Sequence, residues 1–68
     1  MKSKLSRRER KKLETRQALL EAAWALFHDK GFHDTTIEEI TDRADVAKGT
    51  FFNYFPSKEG VLLSLIHI

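Results

Sequence analysis

The 68-residue sequence contains no cysteine, which excludes disulfide staples and thiolate metal sites. Its three histidines, His28, His33 and His67, stand at no spacing that would join carboxylates around a metal ion. A long apolar run is lacking too. The longest, Val61 to Ile68, is interrupted by Ser64 and His67 and is far too short to cross a bilayer. The basic N-terminal stretch leads into more charge rather than an apolar segment, so it does not read as a signal peptide. No nucleophile with a nearby base, carboxylate pair or metal cluster emerges from the lone Ser57 and the scattered histidines, so neither catalysis nor a cofactor is expected. No repeat or low-complexity linker divides the chain. What is left is one small domain held by packing in a reducing, cytoplasmic setting. A domain of this size is marginally stable by itself, which predicts a partner or further sequence.

The net charge of +2 is unevenly spread. Residues 1–16 hold eight cations (Lys2, Lys4, Arg7, Arg8, Arg10, Lys11, Lys12 and Arg16) against Glu9 and Glu14, a net of +6. The rest of the chain carries four cations and eight carboxylates, a net of −4. A basic arm of residues 1–15 on an acidic body suits a polyanion such as a phosphate backbone; a solubilising tail is the plainer alternative.

Apolar spacing predicts an all-α chain with helices at about 8–30, 36–44 and 47–55 and the start of a fourth from about 58. Leu19, Leu20, Ala23, Leu26 and Phe27 share one stripe of the first helix, with Trp24 packing at its edge. Gly31 is a natural stop after Lys30. Thr36-Ile37-Glu38-Glu39 has the form of a capping box, and Ile37, Ile40 and Ala44 supply the buried stripe of the second helix. Asp45 marks a turn because aspartate tolerates the left-handed conformation, after which Val46 re-enters the core. Ala47, Phe51 and Phe55 recur every four residues and should hold the third helix, which Pro56 ends. Ser57 can cap the fourth helix, whose apolar positions are Val61, Leu62 and Leu65.

Two short helices across a tight turn, behind a longer one, form the arrangement that places a reading helix in the major groove of DNA. An ordinary helical hairpin would account for the helices but not for the outer surface of the third. Gly49 costs the helix up to about 1 kcal/mol relative to alanine, and a missing side chain lets backbone approach a base edge or phosphate. Lys48 can reach a guanine edge or a phosphate, Thr50 a phosphate or thymine methyl, and Asn53 has the chemistry of an adenine reader. Phe52 can pack on a thymine methyl or sugar, or equally against another helix. Tyr54, Lys58 and Thr36 suit phosphate contacts, which orient without specifying sequence. A second class of reading makes the arm, with Leu13 and Trp24, a basic amphipathic helix for an acidic partner or membrane surface. The acidic body and short apolar stripe argue against it.

The segments Thr35-Thr36-Ile37-Glu38-Glu39-Ile40 and Val46 through Glu59 resemble the signature of the TetR (AcrR) family of transcriptional regulators. The Ala22-Ala23 and Leu26-Phe27 pairs before Gly31-Phe32 extend the likeness over roughly residues 16–62. The resemblance implies a repressor, usually homodimeric, that binds double-stranded DNA at a palindromic operator through this domain. A larger C-terminal domain, absent from these 68 residues, would bind a small-molecule inducer and form the dimer. By position, Thr36, Lys48, Gly49, Thr50, Phe52, Asn53, Tyr54 and Lys58 fall where family members commonly contact DNA. Three residues depart from the family pattern: Glu38 stands where some members present a basic, base-reading residue, Asp45 replaces a frequent glycine, and Ala47 replaces a frequent serine and with it a possible cap. The final Leu63-Ser64-Leu65-Ile66-His67-Ile68 also spells the translation of a transposon-end sequencing adapter, so 63–68 reads either as a scar beyond which the natural protein continues or as an ordinary apolar helix that happens to spell it.

Overall fold

The computed structural model describes residues 5–66, and these fold as four helices with no strand among them. Lys2 and Lys4 of the basic arm, and His67 and Ile68 of the adapter-like ending, lie outside the described residues.

Helix α1, Arg7–Lys30, is 24 residues long. At 1.5 Å per residue it spans about 36 Å, nearly the 40 Å long dimension of the molecule. Its start is set by a capping box that sequence reasoning passed over: Ser6 Oγ accepts from the Glu9 N–H at 3.2 Å and Glu9 Oε1 accepts from the Ser6 N–H at 2.9 Å. The signal was present in Ser6-Arg7-Arg8-Glu9, hidden because no apolar run follows it. Gly31 ends the helix at φ 90°, a backbone conformation that side chains disfavour, and its N–H returns to the Phe27 carbonyl at 2.9 Å.

Helix α2, Ile37–Ala44, starts at Thr36 through the expected capping box with Glu39. It ends on Asp45 in the left-handed conformation, φ 62° and ψ 47°, as anticipated for the turn. Helix α3, Lys48–Tyr54, and helix α4, Lys58–Ile66, complete the fold. The long helix packs on both α2 and α4, and α3 leans on α2.

The core is Leu19, Ala22, Ala23, Ile40, Phe51, Phe55 and Val61, one small cluster drawn from all four helices. Leu20, Leu26, Phe27, Ile37, Ala44, Val46, Tyr54 and Leu65 pack around it. Two expectations fail. Ala47 is exposed, because its extended backbone (ψ 152°) puts it at the cap, outside the helical face it was expected to share with Phe51 and Phe55. Trp24, expected to pack at the edge of the α1 stripe, is 60% exposed and stacks on His28, 6.0 Å between ring centres. It is a step of 100° beyond Ala23, and the three other helices of the domain leave that side of α1 open.

Buried threonines were also unforeseen. Thr35 and Thr41 are almost fully enclosed, and each hydroxyl turns back to a local carbonyl, Gly31 at 2.8 Å and Glu38 at 3.0 Å. The hydroxyl is thereby satisfied without a distant partner, which makes burial tolerable.

Candidate nucleic-acid interface

Phe51 and Phe55 fix the roll of α3 by burying one side of it, their rings 5.7 Å apart. The opposite side therefore faces outward. Lys48, Gly49 and Asn53 are exposed there, and Phe52 is 50% exposed with its ring edge-on to Phe51 at 5.3 Å. The half-exposure of Phe52 leaves a face of the ring free and answers the question of packing in part: it rests on Phe51 without being covered by another helix. Thr50 is half-buried, and Tyr54 is half-buried with its ring against the core.

Gly49 has no structural need to be glycine. A Cβ built there meets nothing within 4 Å, and its φ is not positive. Gly60 is the opposite case, since a Cβ there would fall 2.9 Å from Pro56 Cδ. Among the described residues, the fold thus accounts for the glycine of α4 and not for that of α3. The start of α3 is also bare: Ala47 makes no side-chain cap, as its apolar methyl dictates.

Three other elements meet α3 at its edges. On one side, a shallow groove is lined by Thr36, Ile37 and Glu38 of the α2 start, Lys48 and Phe52 of α3, and Ser57 to Glu59 at the start of α4. Thr36 is exposed at the rim; its oxygen accepts from the Glu39 N–H at 3.1 Å, which leaves the hydroxyl proton free to donate outward. On the other side, Lys11 and Thr15 of α1 share a cleft with Ala47 and Thr50. A lysine 39 positions away in sequence thus stands beside the first turn of α3, a placement that no local spacing could reveal. Arg7, Arg8, Arg10 and Lys12 are exposed on the same stretch of α1, where the helix runs ahead of the core.

Lys58 is engaged inside the fold. Its Nζ donates to the carbonyls of Phe32 at 2.7 Å and Thr35 at 2.8 Å and lies 4.4 Å from the centre of the Phe32 ring. Two of its three donors thus tie the α1–α2 connection to the first residue of α4, so any phosphate contact falls to the third. This clamp was invisible in the sequence because the partners are main-chain oxygens 23 and 26 residues away.

Glu39, next to the outward Glu38, is fully occupied. One oxygen closes the capping box and the other pairs with Lys30. The Lys30 ammonium first, and the Thr36 N–H second, hold the Glu39 carboxyl below its ordinary value, while the same pairing raises Lys30.

Residues 19–65 match the sequence profile of a family described as bacterial regulatory proteins, tetR family. Among individual proteins, the chain is 41% identical over 54 residues to the uncharacterized HTH-type transcriptional regulator YuxN of Bacillus subtilis, covering 79% of this chain and 19% of that protein. It is 42% identical over 59 residues to the HTH-type transcriptional regulator TcmR of Streptomyces glaucescens, covering 87% and 26%. It is 40% identical over 53 residues to the HTH-type transcriptional repressor KstR of Mycobacterium tuberculosis, covering 78% and 24%. The chain thus spans about a fifth to a quarter of the length of these relatives.

Proposed function

Because this chain belongs to the TetR family of bacterial regulatory proteins, we propose that it binds double-stranded DNA sequence-specifically, as the reading head of a transcriptional regulator. The observation that carries this is the outer side of α3, where Lys48, Gly49, Phe52 and Asn53 are exposed together and the glycine serves nothing within the fold. In the major groove, Lys48 donates to guanine, Asn53 pairs with adenine and Phe52 meets a thymine methyl. Thr36, Thr50, Tyr54, the third donor of Lys58 and the cations of α1 hold phosphates on either side. The first fifteen residues then act as the arm and residues 16–62 as the reading domain.

The whole protein is read as a ligand-released repressor. It would pair with a second copy on a palindromic operator and take its inducer in polypeptide beyond this domain; one of the similar proteins is named a repressor. Its setting is the cytoplasm, and among the described residues no helix is long and apolar enough to cross a membrane.

The test is a titration against a duplex carrying an inverted repeat from the DNA beside the gene, and against its scrambled counterpart, across a range of salt. Phosphate contacts give a linear fall of log affinity with log salt. The inverted repeat should bind more tightly at every salt concentration. Equal affinity for the two duplexes removes the specific-reader claim, and tighter binding to anionic vesicles than to either duplex favours the amphipathic-arm reading.

A further inference from the structure

Glu38 and Glu39 are neighbours in the first turn of α2, yet the structure uses them differently. Glu39 supplies the reciprocal cap of the helix and pairs with Lys30, so the local need for an acid is already met. The Glu38 carboxylate is exposed and, among the described residues, has no hydrogen-bond or salt-bridge partner. It lines the same groove as Lys48 and Phe52 of the outward side of α3. Lys48 is likewise exposed and unpaired, so opposite charges border one groove without bonding to each other.

A carboxylate is a poor choice for a surface that meets phosphates, because it repels them. The start of α2 favours the negative charge of Glu38 as it does that of Glu39, but toward DNA a carboxylate gains only where it meets a donor. In the major groove the exocyclic amino group of cytosine is such a donor, and the O6 and N7 of guanine are acceptors that a carboxylate repels and an ammonium attracts. Ile37 and Phe52 give the same groove an apolar floor.

We propose that Glu38 is a specificity-determining residue that accepts a hydrogen bond from the N4 amino group of a cytosine, while Lys48 takes a guanine edge beside it. The inference rests on the DNA-reading role proposed above. Glu38 then sets base identity by attraction to cytosine and by rejection of guanine at the same position of the same strand. It lowers affinity for duplex in general and returns it at the matching base pair.

The experiment is selection of binding sites from a randomised duplex pool by the full chain and by its Glu38→Gln and Glu38→Ala forms. Affinities for the recovered sites are then measured at one salt concentration. The unaltered chain should recover a motif with cytosine at one fixed position, and replacing that C·G pair by G·C should weaken binding roughly tenfold. Glu38→Ala should lose preference at that position alone. Glu38→Gln, which offers the donor and acceptor pair that suits adenine, should move it toward adenine. A Glu38→Ala motif identical to the original, with affinity raised evenly for every duplex, overturns the proposal and leaves only charge repulsion. Failure of the unaltered chain to recover any motif would instead overturn the DNA-reading function itself, so the two outcomes are distinct.

Discussion

At the scale of single residues, the most informative position is one where protein and proposed ligand want different things. Gly49 sits in a seven-residue helix with open space where a Cβ would be. Alanine there should favour the helix by about 0.5–1 kcal/mol. In a domain of this size that corresponds to a rise of a few degrees in melting temperature. The same methyl would stand between backbone and DNA. Gly49→Ala is therefore expected to raise the melting temperature and weaken duplex binding together, which thermal unfolding and a titration on one sample would show. A loss of both properties would mean that the glycine serves the fold.

Lys58 makes the converse case. Replacing it by alanine strips the Thr35 carbonyl of its donor and leaves the Phe32 carbonyl only the Thr35 N–H at 3.2 Å. Leaving such an acceptor unmet costs about 1–3 kcal/mol. Lys58→Ala should lower the melting temperature with no DNA present and weaken all duplexes by a similar factor. A variant with unchanged melting and reduced binding would return Lys58 to a purely phosphate-facing role.

At the scale of elements, α2 shows how a helix start can be read and also how it responds to pH. The Thr36 and Glu39 capping box was legible because its signal is four residues long and local. So was the left-handed Asp45, for the same reason. The Lys30–Glu39 pair was not legible, since it depends on how α1 returns past α2. Glu39 has a carboxyl held below its ordinary value of 4.5 by Lys30 and the Thr36 N–H. A group lowered in the folded state stabilises above its unfolded value and loses that contribution as pH falls through the lower, folded one. Glutamine retains the capping oxygen but not the charge. The melting temperature of the native chain should therefore exceed that of Glu39→Gln by a constant margin from about pH 6 to 8, and the margin should shrink below about pH 4.5. A margin independent of pH down to pH 3 would assign the effect to packing. Because both groups are at the surface, added salt should reduce the margin as well.

The errors in sequence reading have the same structure. Phe51 and Phe55 were placed correctly by spacing, but the third member of the series, Ala47, fell outside because a helix begins where its backbone turns, and periodicity carries no information about that boundary. Trp24 was placed by its position at the edge of the α1 stripe. A large ring is expected to find cover, yet cover depends on which sides of α1 the other helices occupy. Of the outward surface of α3, Lys48, Gly49, Phe52 and Asn53 follow from the two buried phenylalanines alone. Lys11 beside Thr50 and Lys58 beneath the α1–α2 connection required the fold.

At the scale of the whole molecule, a slender core with residues from four helices holds together a body whose long axis is mostly α1. The basic end of that helix is not a loose tail among the described residues: it is helical from Arg7, closed at Ser6 by two reciprocal hydrogen bonds, and continuous with the half that packs on α2 and α4. An arm already helical from Arg7 has little folding left to do over that stretch when it meets a polyanion. Calorimetry of duplex binding should then show a heat-capacity change sized to contact burial alone, and the circular dichroism of the protein should gain little helix on binding. A large gain in helical signal would show instead that the arm condenses on DNA. With the helix pre-ordered from Arg7, the backbone positions of its cations are fixed along one rigid axis that rises about 1.5 Å per residue, so what the Ser6 cap contributes to association is spared entropy, and it should be felt in how fast the complex forms as much as in how tightly it holds.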